Sequence, residues 1–180
     1  MRSYGDDRKE AFYVDCGATY RGEETTTISG LSHLKGQTVA VLADGGVVYE
    51  KTVADDGTIA LERPAKIVHV GLPYETLIET LDPEISANDG TLCGMKKSVS
   101  KVIIRVRETA GLLVGPDEDS LVEVKFPVGG KYNEPFPLLT GDLQTTLPGR
   151  WRTEASVVMK QTYPLPMTVL SINSFVNVGE

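Results

Sequence analysis

Apolar and polar residues alternate at every second position through much of this chain, which is the pattern of half-buried β-strands. The pattern is clearest in residues 101–107, where Val102, Ile104 and Val106 are predicted to face a core. The positions between them form a predicted solvent-facing surface. That surface carries three basic side chains: Lys101, Arg105 and Arg107.

The same period predicts further strands along the chain. They cover residues 37–42, 47–53, 58–61, 66–70, 121–126, 155–162 and 167–172. In the strand at 121–126, the side chains predicted to point inward are Val122, Val124 and Phe126. Residues 74–81 are bracketed by prolines and contain β-branched threonine, so they are predicted to be strand rather than helix.

Short turns connect the predicted strands. Asp-Gly pairs at 44–45 and 56–57 tolerate positive φ, so a hairpin is predicted at each of them. Pro64 cannot donate to a ladder and is expected to interrupt the chain between the strands at 58–61 and 66–70. The predicted fold class is all-β, with antiparallel hairpins and meanders that form small barrel- or sandwich-like units.

Three segments differ in their patterning. Residues 1–30 are predicted to be a segment that continues from a longer chain, because 20–27 is polar without a clear period. Residues 31–90 are predicted to form a small β meander or barrel, and residues 95–180 a second antiparallel β unit. Turn-forming residues cluster between them at 82–94, and one continuous domain is the alternative organisation.

Charge restricts the partners that the chain can bind. Its 180 residues include 25 acidic and 18 basic side chains, which give a formal net charge of −7 at pH 7. An acidic chain repels phosphate, so broad electrostatic capture of nucleic acid is not expected. No stretch approaches the roughly 20 apolar residues of a membrane span, and the first residues lack the apolar core of a signal peptide. We therefore expect no membrane anchor and maturation in the cytoplasm.

No catalytic, metal or cofactor motif accompanies the predicted strands. His33 and His69 are the only histidines and lack metal-ligand spacing, so both are predicted to be structural. Cys16 and Cys93 are predicted to be buried, reduced thiols, with a disulfide between them as the alternative. The acidic run at 117–119 follows a Gly-Pro turn and lacks the calcium-loop pattern, which favours solvated charges. The expectation is a protein that is not an enzyme and holds no cofactor.

Two features are candidates for an interface. The basic residues near 96–107 lack interleaved aromatics for base stacking, so a solvated strand face or a contact with an acidic neighbour is favoured over a DNA-binding strip. Trp151, between Arg150 and Arg152, is predicted to anchor the core or join two sheets, with a binding hot spot as the alternative. The candidate interface comprises Lys101, Arg105, Arg107, Asp117, Glu118, Asp119 and Trp151.

Several strings of residues look familiar as a set. They are Phe-Tyr-Val-Asp-Cys-Gly at 12–17, Thr-Thr-Ile-Ser-Gly-Leu-Ser-His-Leu-Lys-Gly-Gln-Thr-Val at 26–39, Val-Leu-Ala-Asp-Gly-Gly at 41–46, Val-His-Val-Gly-Leu-Pro-Tyr at 68–74, Gly-Met-Lys-Lys-Ser-Val-Ser-Lys-Val at 94–102, Thr-Gly-Asp at 140–142, Pro-Gly-Arg-Trp at 148–151 and Pro-Leu-Pro-Met-Thr-Val-Leu at 164–170. In this order they resemble the C-terminal region of tail nozzle proteins (tail tubular protein B) of short-tailed bacteriophages. Each string alone is weakly specific, and together they extend over nearly the whole chain.

The resemblance implies a structural role in a virion tail that is assembled in the bacterial cytoplasm. It implies a ring of about six copies of the full-length protein, with head-to-tail contacts between neighbours. It also implies contacts with the tail adaptor and other tail proteins, and a conduit through which DNA passes without tight binding. No cofactor and no catalysis are implied.

Two other functions remain as alternatives at this point. A β-domain could bind a host receptor or glycan through its loops, which would place Trp151 and the tyrosines together at the surface. A hydrolase would need two carboxylates, or a histidine with a partner, in one cleft.

Overall fold

The computed structural model of the protein describes residues 8–84, 91–125 and 137–179. The described part of the chain is all-β, with 55% of the described residues in strands and no helix of seven residues or more among them, which confirms the predicted fold class. The strands are β1 (Asp15–Ile28), β2 (Thr38–Ala43), β3 (Gly46–Thr52), β4 (Ile59–Leu72), β5 (Thr76–Glu79), β6 (Lys97–Thr109), β7 (Leu113–Gly115), β8 (Val122–Glu123), β9 (Leu139–Thr146), β10 (Val158–Gln161) and β11 (Val169–Val178). Single 3-10 turns occur at Arg8–Glu10, Ser32–Leu34 and Glu118–Ser120. None of the helical turns in the described ranges has the length or the apolar character needed to span a membrane.

The chain divides into two compact units. The first unit comprises the described residues of Met1–Glu75, Pro127–Leu138 and Thr162–Pro166. The second comprises those of Thr76–Phe126, Leu139–Gln161 and Met167–Glu180. The turn-forming run at 88–90, on which the sequence-based boundary partly rests, lies outside the described residues.

One antiparallel sheet in the order β1-β4-β2-β3 forms the frame of the first unit. Its core cluster lies on one face, where Val39 and Val41 of β2 share a side with Val68 and Val70 of β4. The opposite face is also closed at its centre, since Leu42 of β2 is fully buried. Burial on both faces explains why residues 39–42 are continuously apolar rather than alternating.

Strand β4 differs from its prediction. It runs through Pro64 as one strand of 14 residues, so the expected interruption is wrong. Pro64 is tolerated because the register with β1 shifts on both sides of the Thr25–Ala65 pair, where no regular ladder bond from residue 64 is required. Strand β1 itself includes the polar residues 20–27, for which the sequence predicts no strand.

The two Asp-Gly pairs have different outcomes. The predicted hairpin at Asp44 and Gly45 is confirmed: both have positive φ, at 47° and 82°, and Ala43 pairs with Gly46. A turn also occurs at residues 55–56, but β3 and β4 do not pair because β2 lies between them. The second hairpin prediction is therefore wrong, since β4 returns to pair with β2 and β1 instead.

The second unit is a sandwich of two antiparallel sheets, in the orders β5-β10-β7-β8 and β11-β6-β9. Their inner faces share one apolar core, to which β6 contributes the fully buried Val102, Ile104 and Val106. The predicted orientation of these three residues is thus confirmed. In the described parts of the chain the sheets stay open rather than closing on themselves.

The strand predicted at 121–126 is only partly right. It contracts to the two residues of β8 at a sheet edge, where Val122 is 44% exposed instead of pointing inward. Val124, just after the strand, is buried as predicted. Phe126 lies outside the described residues.

The side chain of Asp44 joins the β2–β3 hairpin to β4. Its carboxylate accepts hydrogen bonds from the backbone N–H groups of Lys66 and Ile67, both at 3.1 Å. We expect Asp44→Ala to lower the free energy of unfolding by about 1–3 kcal/mol, because two backbone donors lose their acceptor and alanine disfavours positive φ. Asp44→Asn should lose less, since asparagine tolerates that conformation and keeps one acceptor oxygen.

Urea denaturation measures both changes. Asp55→Asn, an exposed position in the next turn, is the matched control and should leave stability within about 0.5 kcal/mol. Equal stability of Asp44→Ala and the control would contradict this role of Asp44.

Candidate interaction surface

The predicted basic face lies on β6, the central strand of the sheet β11-β6-β9. Arg105 lies directly opposite Asp142 of β9, and its Nε and Nη2 donate to the two carboxylate oxygens at 2.7 and 2.9 Å. The hydrogen bond and charge of Arg105 hold the pKa of Asp142 below its ordinary value. Since both side chains are about half exposed, the pair fixes the geometry of the face more than it adds stability.

The other two cations of this face also have neighbours in the same unit. Lys101 Nζ lies 4.8 Å from the centre of the Phe175 ring, which is opposite it on β11. Arg107 Nε lies 3.9 Å from a carboxylate oxygen of Glu108. The face is therefore a mixed surface in which positive charge is partly compensated.

The acidic turn at 117–119 is held by arginines of its own unit. Asp117 accepts a hydrogen bond from Arg152 and lies 4.0 Å from Arg150. These contacts, with the bond from Arg152 first and that from the Ser120 hydroxyl second, keep the pKa of Asp117 below its ordinary value. Glu118 and Asp119 are exposed. The ion pairs within the unit thus join the acidic turn to Arg152, and Arg105 to Asp142, rather than joining the turn to the basic face.

Trp151 is 55% exposed, so the prediction of a core or inter-sheet anchor is wrong. The reason lies in the adjacent pair: Arg152 and Lys97 exchange two backbone hydrogen bonds of 2.6 and 2.9 Å at the end of β6. Neighbouring residues of an extended chain point to opposite faces, and the buried Lys97 side chain marks the inner one. The indole lies beside Gly179, where an added Cβ would come within 3.0 Å of its ring.

A cleft of about 510 Å³ lies beside the acidic turn. Four carboxylates and one guanidinium line it: Glu79, Asp117, Glu118, Glu154 and Arg152. The cleft thus contains the two or more carboxylates that the hydrolase alternative requires. The Ser156 hydroxyl, also in the wall, donates to Glu79 at 3.1 Å. No histidine borders this cleft, and the described residues contain no group of three or more His, Cys, Asp and Glu that could hold a metal ion.

Both histidines make structural contacts. His33 Nε2 donates to the carbonyl oxygen of Cys16 at 3.0 Å, which ties the turn Ser32–Leu34 to β1. His69 is completely buried, with its two ring nitrogens bonded to Lys9 and Thr19. Neither is hydrogen-bonded to a serine, cysteine or carboxylate side chain among the described contacts.

The two cysteines differ from their prediction. Cys16 and Cys93 are exposed free thiols instead of buried ones. Cys16 lies at an irregular position of the β1–β4 register with φ of 49°, which turns its side chain out of the sheet pattern. Sequence spacing alone contains no signal for such an irregularity.

An ion pair between a buried lysine and a partly exposed aspartate, which the sequence does not predict, joins three segments of the second unit. Lys97, with a fully buried side chain, donates to Asp82 Oδ2 at 2.5 Å and to the carbonyl oxygen of Leu92 at 3.2 Å. Asp82 Oδ1 in turn accepts from the N–H of Ala155 at 2.8 Å. Burial alone would raise the pKa of Asp82, but the bonds from Lys97 and Ala155 and the lysine charge hold it below its ordinary value.

Comparison with known proteins supplies no further identification. No protein-family model matches the chain, and a search of the curated proteins finds no match. The likeness to tail nozzle proteins therefore rests on the sequence strings quoted above.

Removing Asp82 and removing Lys97 should lower the stability of the protein by different amounts. Asp82→Asn should lower the free energy of unfolding by roughly 1–3 kcal/mol, because it leaves the buried Lys97 ammonium without a counter-charge. Lys97→Met should cost less, since methionine fills the apolar volume of the lysine stem and Asp82 keeps the Ala155 N–H and partial contact with water. Denaturation of both variants and of the double variant measures the coupling, and the double variant should lose less than the sum of the single losses.

The pair also predicts a pH dependence. Because the pKa of Asp82 is lower in the folded chain, its contribution is complete above the unfolded value near 3.8 and is lost as the pH falls through the folded value. Asp82→Asn should remove that part of the acid sensitivity. Identical acid profiles of the wild type and the variant, or equal losses for the two single variants, would show that the pair does not hold these segments.

Proposed function

We propose that this chain is a structural component of a short-tailed bacteriophage tail and forms part of the nozzle through which DNA leaves the virion. The observation that carries the proposal is the ordered set of strings, from residue 12 to residue 170, that resembles tail nozzle proteins. The all-β fold and the structural use of both histidines are consistent with a role without catalysis.

Three of these strings, at 12–17, 26–39 and 68–74, lie in the first unit. Phe12, in the first string, stacks on His69, in the string at 68–74, with the ring centres 3.8 Å apart. Residues of the string at 26–39 supply a large share of the first core cluster, with Ile28, Leu31 and Leu34 all buried. The strings at 12–17, 26–39 and 68–74 thus contribute to one compact unit.

Charge supports a passage for DNA. The net charge of −7 disfavours retention of a polyanion, and each retained phosphate contact would slow its movement. The basic face of β6 does not reverse this repulsion of DNA. Asp142 partly neutralises Arg105, and Lys101 lies over the ring of Phe175.

Trp151 and the two arginines beside it form a candidate contact surface for assembly. A large exposed aromatic flanked by Arg150 and Arg152 has the composition of an interface hot spot. In a tail, this surface would contact a neighbouring subunit or another tail protein. An exposed ring in a monomer becomes buried on assembly, which accounts for its position outside the core.

The second candidate function is a binding module for a host receptor or glycan. The exposure of Trp151 favours it, since aromatic rings stack on the apolar faces of sugars. The exposed tyrosines Tyr13 and Tyr74 belong to the first unit, whereas Trp151 belongs to the second. The structural role is the primary proposal because the ordered strings of residues support it.

Particles made by the genome that encodes this sequence test the primary proposal. We expect the chain in purified virions at a constant ratio to the other tail proteins, with antibody labelling at the tail tip. Quantitative mass spectrometry and immunogold electron microscopy provide the two measurements. Particles that lack the chain would contradict the proposal.

Trp151→Ala distinguishes the two functions. For a tail subunit, the change should reduce incorporation into particles several-fold while the far-ultraviolet circular dichroism spectrum stays unchanged, because hot-spot truncation typically costs about 2 kcal/mol or more. For a binding module, incorporation should be normal and binding to a glycan array should be lost. Leu81→Ser, at a position 92% exposed, is the control and should affect neither.

A DNA-binding measurement tests the conduit. We expect no duplex affinity tighter than about micromolar near 0.15 M salt, since the chain is acidic and its basic face is compensated. Fluorescence anisotropy measures this directly. A salt-dependent, sub-micromolar affinity that falls in the variant Lys101→Gln/Arg105→Gln would contradict the expectation and identify the basic face as a DNA site.

A further inference from the structure

Residues 8–14, here termed the strap, lie over one face of the first unit's sheet. Strand alternation places His69 on the face opposite to the core residues Val68 and Val70. The strap covers this face through Ala11, which is fully buried, and Phe12, whose ring is stacked on that of His69 within 10° of parallel. The N–H of Tyr13 extends the contact by donating to the carbonyl oxygen of Pro164 at 3.2 Å.

One hydrogen bond of His69 shows which ring nitrogen carries a proton. Nε2 lies 2.8 Å from the carbonyl oxygen of Lys9, which can only accept, so Nε2 carries a proton and donates it. Nδ1 lies 2.9 Å from the Thr19 hydroxyl, which can donate to it or accept from it. Because burial lowers the pKa of His69, the neutral Nε2–H form is favoured, and in that form Nδ1 accepts from Thr19.

Groups on several neighbouring elements affect the pKa of His69. From the strap, Glu10 favours a positive ring, and from β1, Arg21 opposes it. These two groups compensate each other, since Arg21 donates to both carboxylate oxygens of Glu10 at 2.7 and 2.5 Å. From β2, the residue paired with His69 is Leu42, which carries no charge. Burial is the largest effect, and it lowers the pKa of His69 below the ordinary 6.5.

We propose that His69 is a proton-sensitive latch, and that protonation of Nδ1 loosens the strap from the sheet. A proton on Nδ1 turns an acceptor into a donor, so the Thr19 hydroxyl must reverse, and it places a full charge in a buried site. Undocking of the strap exposes the imidazolium to water and relieves that cost. The proton moves from solvent to Nδ1, and no covalent bond other than N–H forms or breaks.

The direction of the effect follows from linkage. The undocked state, with an ordinary histidine, binds a proton more readily than the docked state, so docking is complete above pH 6.5 and weakens as the pH falls below it. Each unit by which burial lowers the pKa changes the docking equilibrium by about tenfold. Release uncovers the ring of His69, on which Phe12 is stacked in the docked state. The latch is a regulatory feature beyond the proposed structural role.

Hydrogen exchange on the intact chain tests the latch. We expect the amides of the strap to exchange several-fold to about tenfold faster at pH 5.5 than at pH 7.5, after correction for the intrinsic rates. Amides of the second unit provide an internal reference and should not change. This window lies above the range in which carboxyl groups ordinarily titrate. Titration of the two histidines by NMR should place His69 below 6.5 and give the pH at which the strap loosens.

Two variants make the test specific. In His69→Gln, the side-chain amide can still donate to Lys9 but cannot titrate, so the pH dependence should disappear. His33→Ala, the matched control, should retain the full effect. Strap exchange that is independent of pH in the wild type, a His69 titration above 6.5, or a pH response that persists in His69→Gln would overturn the proposal. If His69→Gln does not fold, the wild-type titration and the response of His33→Ala still decide the question.

Discussion

The need to satisfy every buried backbone N–H and C=O group is the constraint on which this structure depends. Many of its strands are short or irregular, so the ladders alone leave groups without partners, and polar side chains complete them. Asp44 accepts from two N–H groups of β4, Asp82 accepts from Ala155, and Gln161 donates to the carbonyl oxygen of Ala110. Each of these polar side chains is hydrogen-bonded to a backbone group of the same unit.

The same constraint explains the chemistry of the polar clusters. A catalytic carboxylate or histidine needs a poised pKa and access to a substrate. His69 is inaccessible and bonded on both nitrogens, while Asp82, Asp117 and Asp142 have lowered pKa values because they are bonded to cations of the same unit. His69 and these three aspartates therefore make structural contacts within their own units. Trp151 lies outside the sandwich core and is 55% exposed.

Elements that depend on one local signal follow from the sequence, whereas elements that depend on tertiary contacts do not. Alternation fixed the faces of β6, and an Asp-Gly pair fixed the hairpin at Asp44, because side-chain period and positive φ are local properties. The sequence does not predict strand β1, because its polar residues 20–27 lie at a sheet edge and need no apolar face. The exposure of Trp151 and the Lys97–Asp82 pair depend on which segment crosses the end of β6, and no residue pattern encodes that crossing.

A cryo-electron microscopy reconstruction of particles made by the genome that encodes this chain tests the proposed tail function most directly. The account predicts that the two β units occupy density in the nozzle ring, that Trp151 is buried against a neighbouring subunit or tail protein, and that the surface facing the channel is acidic. Density for this chain at a receptor-binding appendage, with Trp151 open to solvent and away from any ring contact, would contradict it.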